Sequence, residues 1–203
     1  MYIAIGGNIG SGKTTLTKKL AKYYKFSSQL EEVEDNPYLN NFYKDMQRWS
    51  FNLQIFFLNS RFKQVNEISK NNKNVIQDRT IYEDAYIFAP NLHAMGLMTT
   101  KDYENYIDIF TTLKEFIQPP DLLIYLRSSV SHLVEQIQYR GRNYEDSIQV
   151  GYLNRLNERY EAWISEYNEG KIIQIDVDNL NFEKNKVDFN QIITIINPLI
   201  KSK

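Results

Sequence analysis

Gly7-Asn8-Ile9-Gly10-Ser11-Gly12-Lys13-Thr14 satisfies the pattern G-x-x-x-x-G-K-[ST] at every constrained position. The motif works in one setting only: a buried strand must lead into the glycine loop, and a helix must open at its end. The flanks supply both. Residues 2–5 are an apolar run that reads as a buried strand, and residues 14–24 carry a helical period. Glycines at these positions let successive backbone N–H groups converge on an anion, and the helix N-terminus adds positive potential. The anion such a loop takes is the phosphate chain of a nucleotide, contacted by Gly7, Asn8, Ile9, Gly10, Ser11, Gly12, Lys13, Thr14 and Thr15. Lys13 is expected at the β- and γ-phosphates and Thr14 at Mg²⁺. The motif leaves the acceptor open, because ATPases, GTPases and small-molecule kinases all share it.

The rest of the chain repeats the strand-then-helix rhythm. Residues 75–76, 122–126 and 171–175 read as short buried strands, and 26–30 as a candidate second strand. Helical spacing marks 49–71, 81–89, 102–116, 130–138 and 152–167. Asp188, with Gln191 three residues on, gives the last helix a capping-box-like start. This alternation implies an α/β fold, a central five-stranded parallel sheet flanked by helices, with ligands bound beyond the carboxyl ends of the strands. The 203 residues suit one domain, and no linker or repeat divides them. Composition narrows function by exclusion. The net charge is −1, from 24 basic and 25 acidic residues, which gives no field to recruit nucleic acid or an anionic membrane. Cysteine is absent, which removes disulfides, thiolate metal sites and cysteine nucleophiles, and two histidines argue against a histidine-rich metal site. No apolar run approaches the ~20 residues of a membrane span. The N-terminus has no leader pattern, so a cytoplasmic enzyme is expected.

A small-molecule kinase also needs a base near the acceptor hydroxyl and cations around the transferring phosphoryl. Glu31-Glu32-Val33-Glu34-Asp35 follows the candidate second strand, and one of its carboxylates suits the base; a solvated acidic loop has the same composition. Asp78-Arg79-Thr80 ends the third strand at the ligand edge, which suits Asp78 to the metal and Arg79 to acceptor or phosphate. The alternative is a surface ion pair. Arg140-Gly141-Arg142 resembles a lid, at about 138–148, that brings charge to phosphoryl transfer. A basic helix end favoured by the dipole is the plainer reading.

Taken in order, these stretches resemble the deoxynucleoside kinase family, most closely its bacterial deoxyadenosine kinases. The resemblance runs from Met1 to about Asp178. Besides the phosphate loop it is carried by the acidic run with Asn36-Pro37-Tyr38, by Arg48-Trp49-Ser50-Phe51-Asn52-Leu53-Gln54, by Asp78-Arg79-Thr80 and by Arg140-Gly141-Arg142-Asn143-Tyr144-Glu145. It implies that Glu31 takes the proton of a deoxynucleoside 5′-hydroxyl, although Glu32 replaces the family's proline. Tyr43 and Glu145 then hold the sugar 3′-hydroxyl. Gln54, Arg61 and Asp84 read the base, Phe88 stacks on it, and Trp49 and Phe51 surround it unless they are plain core. Asp176 opens a loop at the donor base. Gln136 stands where several relatives carry another lid arginine, which leaves Lys13, Arg79, Arg140 and Arg142 to neutralise the phosphates.

Mg-ATP as donor, a homodimer through the helices beginning near Trp49 and Asp102, and feedback inhibition by dATP follow from the same resemblance. Arg61 and Asp84 together favour deoxyadenosine as acceptor, with deoxyguanosine or deoxycytidine as alternatives. A nucleoside monophosphate kinase would need a clamp for an acceptor phosphate. A GTPase-like switch would need an Asn-Lys-x-Asp loop, and Asn72-Lys73-Asn74 is followed by Val75.

Overall fold

The computed structural model describes residues 1–31, 36–71, 73–142, 145 and 148–200. Glu32, Val33, Glu34 and Asp35, Asn72, and Asn143, Tyr144, Asp146 and Ser147 of the expected lid lie outside the described residues. Five parallel strands form the sheet: β1 (Tyr2–Gly7), β2 (Ser27–Gln29), β3 (Val75–Asp78), β4 (Leu122–Arg127) and β5 (Lys171–Asp176), in the order β2-β3-β1-β4-β5. β1 is central. Its partners β3 and β4 lie on opposite sides, so the strand order reverses at the point where β1 hands the chain to the phosphate loop. Crevices in open α/β sheets form at such a reversal.

Alternation along the strands separates two cores. Tyr2 and Ala4 of β1, Val75 of β3, and Leu123 and Tyr125 of β4 face one side. That side is covered by α3 (Met46–Lys70), α6 (Thr100–Lys114), α8 (Val150–Ser165) and the helical stretch after β3. Ile3, Ile5, Ile76, Leu122, Ile124 and Leu126 face the other side, against α1 (Lys13–Tyr24) and α9 (Lys186–Ile200). Near-continuous apolar strands buried on both faces are what a parallel sheet requires.

The boundaries differ from the sequence expectation where local capping decides them. α3 starts at Met46 because the Asp45 carboxylate accepts from the Arg48 amide at 3.0 Å. A short helix not anticipated, α2 (Leu39–Lys44), carries Tyr43. The expected single helix from Ile81 is α4 (Ile81–Glu83), a π-helical turn (Asp84–Phe88) and α5 (Ala89–Ala94) in continuous succession. α6 begins at Thr100, capped by Thr99. The capping box proposed for Asp188 and Gln191 does not form: α9 already runs from Lys186. Asn185 Oδ1 accepts from the Val187 amide at 2.9 Å, while Asp188 reaches back to the Asn181 amide at 2.7 Å. α7 (Val130–Arg140) ends at Gly141, whose φ of 63° closes the helix in the left-handed conformation.

Candidate active site

The phosphate loop leaves β1 with Gly10 and Gly12 at φ 89° and 88°, the left-handed region that glycine enters without penalty. Space forbids a side chain as well: a Cβ at Gly12 would lie 2.7 Å from the Phe182 ring. Lys13 is buried and donates to the Asn8 carbonyl at 2.8 Å across its own loop. Burial and the nearby Arg79 guanidinium bring its ammonium down to about 7, against the opposing pull of Asp78, Glu83 and Glu31. An ammonium so poorly solvated gains most when a polyphosphate arrives. Asn8 contributes its backbone only, because its side chain is buried and donates to Asn157 at 2.6 Å and to the Leu153 carbonyl at 3.1 Å.

Parity along β3 points Asp78 to the same face as Ile76, toward α1. There the Thr14 hydroxyl donates to Asp78 Oδ2 at 2.5 Å. Asp78 Oδ1 is buried with no hydrogen-bond partner, and burial raises the carboxyl above its usual range against the pull of Lys13. A hydroxyl beside a carboxylate with one idle oxygen is a hard-donor pair that fits a divalent cation such as Mg²⁺. Among the described residues no cluster of three or more His, Asp or Glu could hold a metal alone. Such a cation would therefore have to complete its shell with phosphate oxygens and water.

Arg79 has φ 69°, in the left-handed region although it is not glycine, and its amide donates to the Ile5 carbonyl at 2.9 Å. That turn sends the guanidinium back over the sheet edge. Its carbon sits 4.5 Å from the centroid of the Phe88 ring, Nη1 donates to the Tyr160 hydroxyl at 3.0 Å, and Nε is 3.3 Å from Glu31 Oε1. Arg61 of α3, 1% exposed, donates through Nη2 to the same Glu31 oxygen at 2.7 Å and through Nε to Asp84 Oδ2. Glu31 is thus gripped by two arginines. Burial alone would raise its carboxyl, but Arg79, Arg61 and Lys13 outweigh it and hold the group down at about 2. Asp84 moves the other way, to about 6, because burial exceeds the attraction of Arg61 and Arg79. Gln54 is buried on the same helix, seven residues before Arg61, and its Oε1 has no hydrogen-bond partner.

A family profile for deoxynucleoside kinases matches residues 3–201. The chain belongs to the deoxynucleoside kinase family. The deoxyadenosine/deoxycytidine kinase of Bacillus subtilis is 42% identical over 96% of this chain and 92% of its own length. The deoxyguanosine kinase of the same organism is 36% identical over 98% of this chain and 97% of its own. The structure of deoxyadenosine kinase from M. mycoides with bound dATP superposes with a TM-score of 0.85 at 31% identity, covering 97% of this chain and all of that one.

In this deoxynucleoside kinase, most residues expected at the site from the sequence converge. Arg79, Glu31, Arg61 and Asp84 form one connected set of ion pairs, bordered by Phe88 and joined along α3 by Gln54, while Thr14 and Asp78 pair separately and Lys13 bonds its own loop at the Asn8 carbonyl. Trp49 is half-buried and packs against Tyr38, with ring centroids 5.9 Å apart. Phe51 is also half-buried. In the lid, Arg140 and Arg142 both pair with Glu145. Arg140 donates through Nε to Glu145 Oε2 at 3.0 Å and through Nη2 to Oε1, and Arg142 Nη1 lies 3.5 Å from Oε1. Glu145, expected at the sugar 3′-hydroxyl, is paired here with both lid arginines.

Asp176, expected to open a loop at the donor base, stands where β5 gives way to a loop. It is the exposed last residue of β5, and its carboxylate accepts from the Asp178 amide at 3.1 Å. A cleft of about 420 Å³ beside Gly10, Ser11, Gly12 and Thr15 is lined by the residues that follow Asp176, 177–184, and by Gln136 and Tyr139.

Glu83 was missed. Its side chain has no exposed surface. Oε1 accepts from the Gly7 amide at 3.1 Å and lies 2.8 Å from the Tyr160 hydroxyl; Oε2 accepts from the Thr80 amide at 2.7 Å and the Thr80 hydroxyl at 3.2 Å. Thr80 and Glu83 form a reciprocal capping box for α4. The signal was in the sequence, as T-x-x-E directly after the strand. One carboxylate therefore ties the start of the phosphate loop to the turn that aims Arg79.

Proposed function

We propose that this chain phosphorylates the 5′-hydroxyl of a deoxynucleoside, preferentially deoxyadenosine, with Mg-ATP as donor, and that Glu31 is the general base. The observation that carries the reading is the placement of Glu31 between Arg79 and Arg61, with Arg61 also bound to Asp84. Arg79 follows the strand that ends beside the phosphate loop and Arg61 bonds the expected base reader Asp84, so a carboxylate shared by the two supports a role between donor and acceptor. Held near 2, Glu31 is ionised throughout the working pH range, so it accepts a hydrogen bond from the 5′-hydroxyl. Phosphoryl transfer through a loose transition state asks for little proton removal early. Glu31 orients the oxygen in line with the γ-phosphorus and receives the proton as the new P–O bond forms and the bond to ADP breaks. Lys13 and Arg79, with Arg140 and Arg142 from the lid, neutralise the transferring charge. Mg²⁺, held by Thr14 and Asp78, supplies further neutralisation of the phosphate oxygens when bound.

The unpartnered Oε1 of Gln54 and the Arg61–Asp84 pair support a base with both donors and acceptors on its edge, as adenine offers. A methyl group set against that buried ion pair would desolvate charge without compensation, which disfavours thymidine. The names of the two Bacillus subtilis relatives support the purine and cytosine acceptors as a set. The dATP held by the M. mycoides enzyme supports inhibition by the product's triphosphate, its nucleoside in the acceptor pocket and its phosphates at residues 7–14. A cytoplasmic homodimer completes the reading, supported by half-buried Phe51, Ile55 and Phe62 on α3 and by Ile109 and Leu113 on α6. Glu31→Gln should lower kcat by ~10²–10⁴ with nucleoside binding kept. A kcat within about threefold of the parent would remove Glu31 from the role.

A further inference from the structure

β2 pairs with β3 over three residues, and the register stops at Gln29 opposite Gln77. The next carbonyl, that of Leu30, leaves the ladder one residue before Glu31. It is taken up by a side chain: Gln64 of α3 donates its amide to it at 2.9 Å. The Gln64 oxygen accepts from the Gln77 amide at 3.0 Å, and the Gln77 oxygen accepts from the Tyr2 hydroxyl. Gln64, Gln77 and Tyr2 are 7%, 0% and 8% exposed. A backbone carbonyl can only accept, so Gln64 must present its NH₂ group there, and the orientation of each further link follows. The chain runs in one direction, from β1 through β3 and α3 to the backbone that carries Glu31.

Apolar side chains would fill these positions without burying two amides and a hydroxyl, which is costly unless every group is satisfied. Here each link is made. The same face of α3 serves Glu31 twice, because Arg61 and Gln64 are three residues apart and so lie side by side. Arg61 holds the carboxylate at 2.7 Å, and Gln64 holds the carbonyl immediately before it. We infer that Gln64 is a positioning residue for Glu31, fixing through the Leu30 carbonyl where the carboxylate meets the acceptor hydroxyl. A displacement of the reacting groups by about 1 Å is enough to cost ~10²-fold in rate, so a carboxylate two residues past the end of so short an edge strand gains from a second anchor.

The inference rests on Glu31 being the base, and a double-mutant cycle separates the two. Gln64→Met, Glu31→Gln and their combination are assayed with deoxyadenosine and Mg-ATP, with thermal melting of each. Gln64→Met should lower kcat by about 10–100-fold with the KM for ATP unchanged, and should lower it no further in the Glu31→Gln background. Should Gln64→Met fold poorly, Tyr2→Phe/Gln64→Met/Gln77→Met removes the whole chain and leaves only the Leu30 carbonyl without its partner, which is far less damaging than a broken chain. The same kcat loss is expected of it. If Glu31→Gln itself keeps its kcat, the reading of Glu31 fails. If Glu31→Gln is impaired but the Gln64 variants turn over normally, or lose the same factor in both backgrounds, Gln64 is structural and the inference is overturned.

Discussion

Glu83→Gln isolates the tie between the phosphate loop and the Arg79 turn. Gln keeps the volume but turns one carboxylate oxygen into an NH₂ donor. If that donor faces Gly7, it meets an N–H; if it faces Thr80, it meets an N–H again, because both oxygens accept from a backbone amide. One buried amide is therefore left unpaired in either orientation, at about 1–3 kcal/mol, and the remaining bonds lose the charge that strengthens them. The side chain has no exposed surface, so water cannot step in, and Arg79 at 3.8 Å loses a counter-charge. A loss of about 3 kcal/mol is expected. For a domain of this size each kcal/mol moves Tm by about 2–4 °C, which gives a fall of roughly 6–12 °C by calorimetry or circular dichroism. ATP affinity should drop in parallel, since Gly7 opens the phosphate loop. Glu67→Gln is the control: that carboxylate is exposed and makes one long contact, to Gln29 at 3.4 Å, so its effect should stay within about 0.5 kcal/mol. A Tm within about 2 °C of the parent for Glu83→Gln would refute the argument.

Three further outcomes follow from the geometry. Arg61→Met with Asp84→Ala should lower kcat/KM for deoxyadenosine and raise that for thymidine relative to it, and the two changes should couple because the side chains touch; an unchanged ranking in initial-rate assays would count against base reading by the pair. Arg142→Ala should lower kcat by ~10²–10³ with Tm unaltered, since its side chain is 35% exposed and outside the core. Normal turnover of both Arg140→Ala and Arg142→Ala would contradict the lid assignment. Lys13 titrates near 7 before ATP arrives, and the phosphates raise its pKa on binding, so above pH 7 binding takes up protons and affinity falls as pH rises. Calorimetric titration at pH 8 in buffers of different ionisation enthalpy should report uptake of up to about one proton, and no uptake would contradict it.

What could be read from the chain alone was whatever local pattern determines. The phosphate loop lies within ten residues of one strand and one helix, and its motif specifies both. Strand parity and the apolar runs gave the five parallel strands, because a sheet buried on both faces needs them. Arg61 and Asp84 were expected to act together on the base, and they touch, since α3 and the π-helical turn pack on the same side of the sheet. The contact of Arg61 with Glu31 was not legible, because it depends on where a three-residue edge strand ends. Gln64 and Gln77 look like polar interruptions of an apolar face until the fold brings them to Leu30. Around Asp176 the sequence shows that a strand ends and a loop begins, but not that the carboxylate turns to its own backbone while the residues after it line a cleft beside the phosphate loop.

The acceptor assignment is tested most directly by one panel of initial rates. The four deoxynucleosides and dAMP are each offered to the enzyme with Mg-ATP, and kcat/KM is measured for each. The account predicts 5′-phosphorylation with deoxyadenosine highest, deoxyguanosine and deoxycytidine below it, thymidine last and dAMP inert. Turnover of dAMP without turnover of deoxyadenosine, or a preference for thymidine, would contradict it.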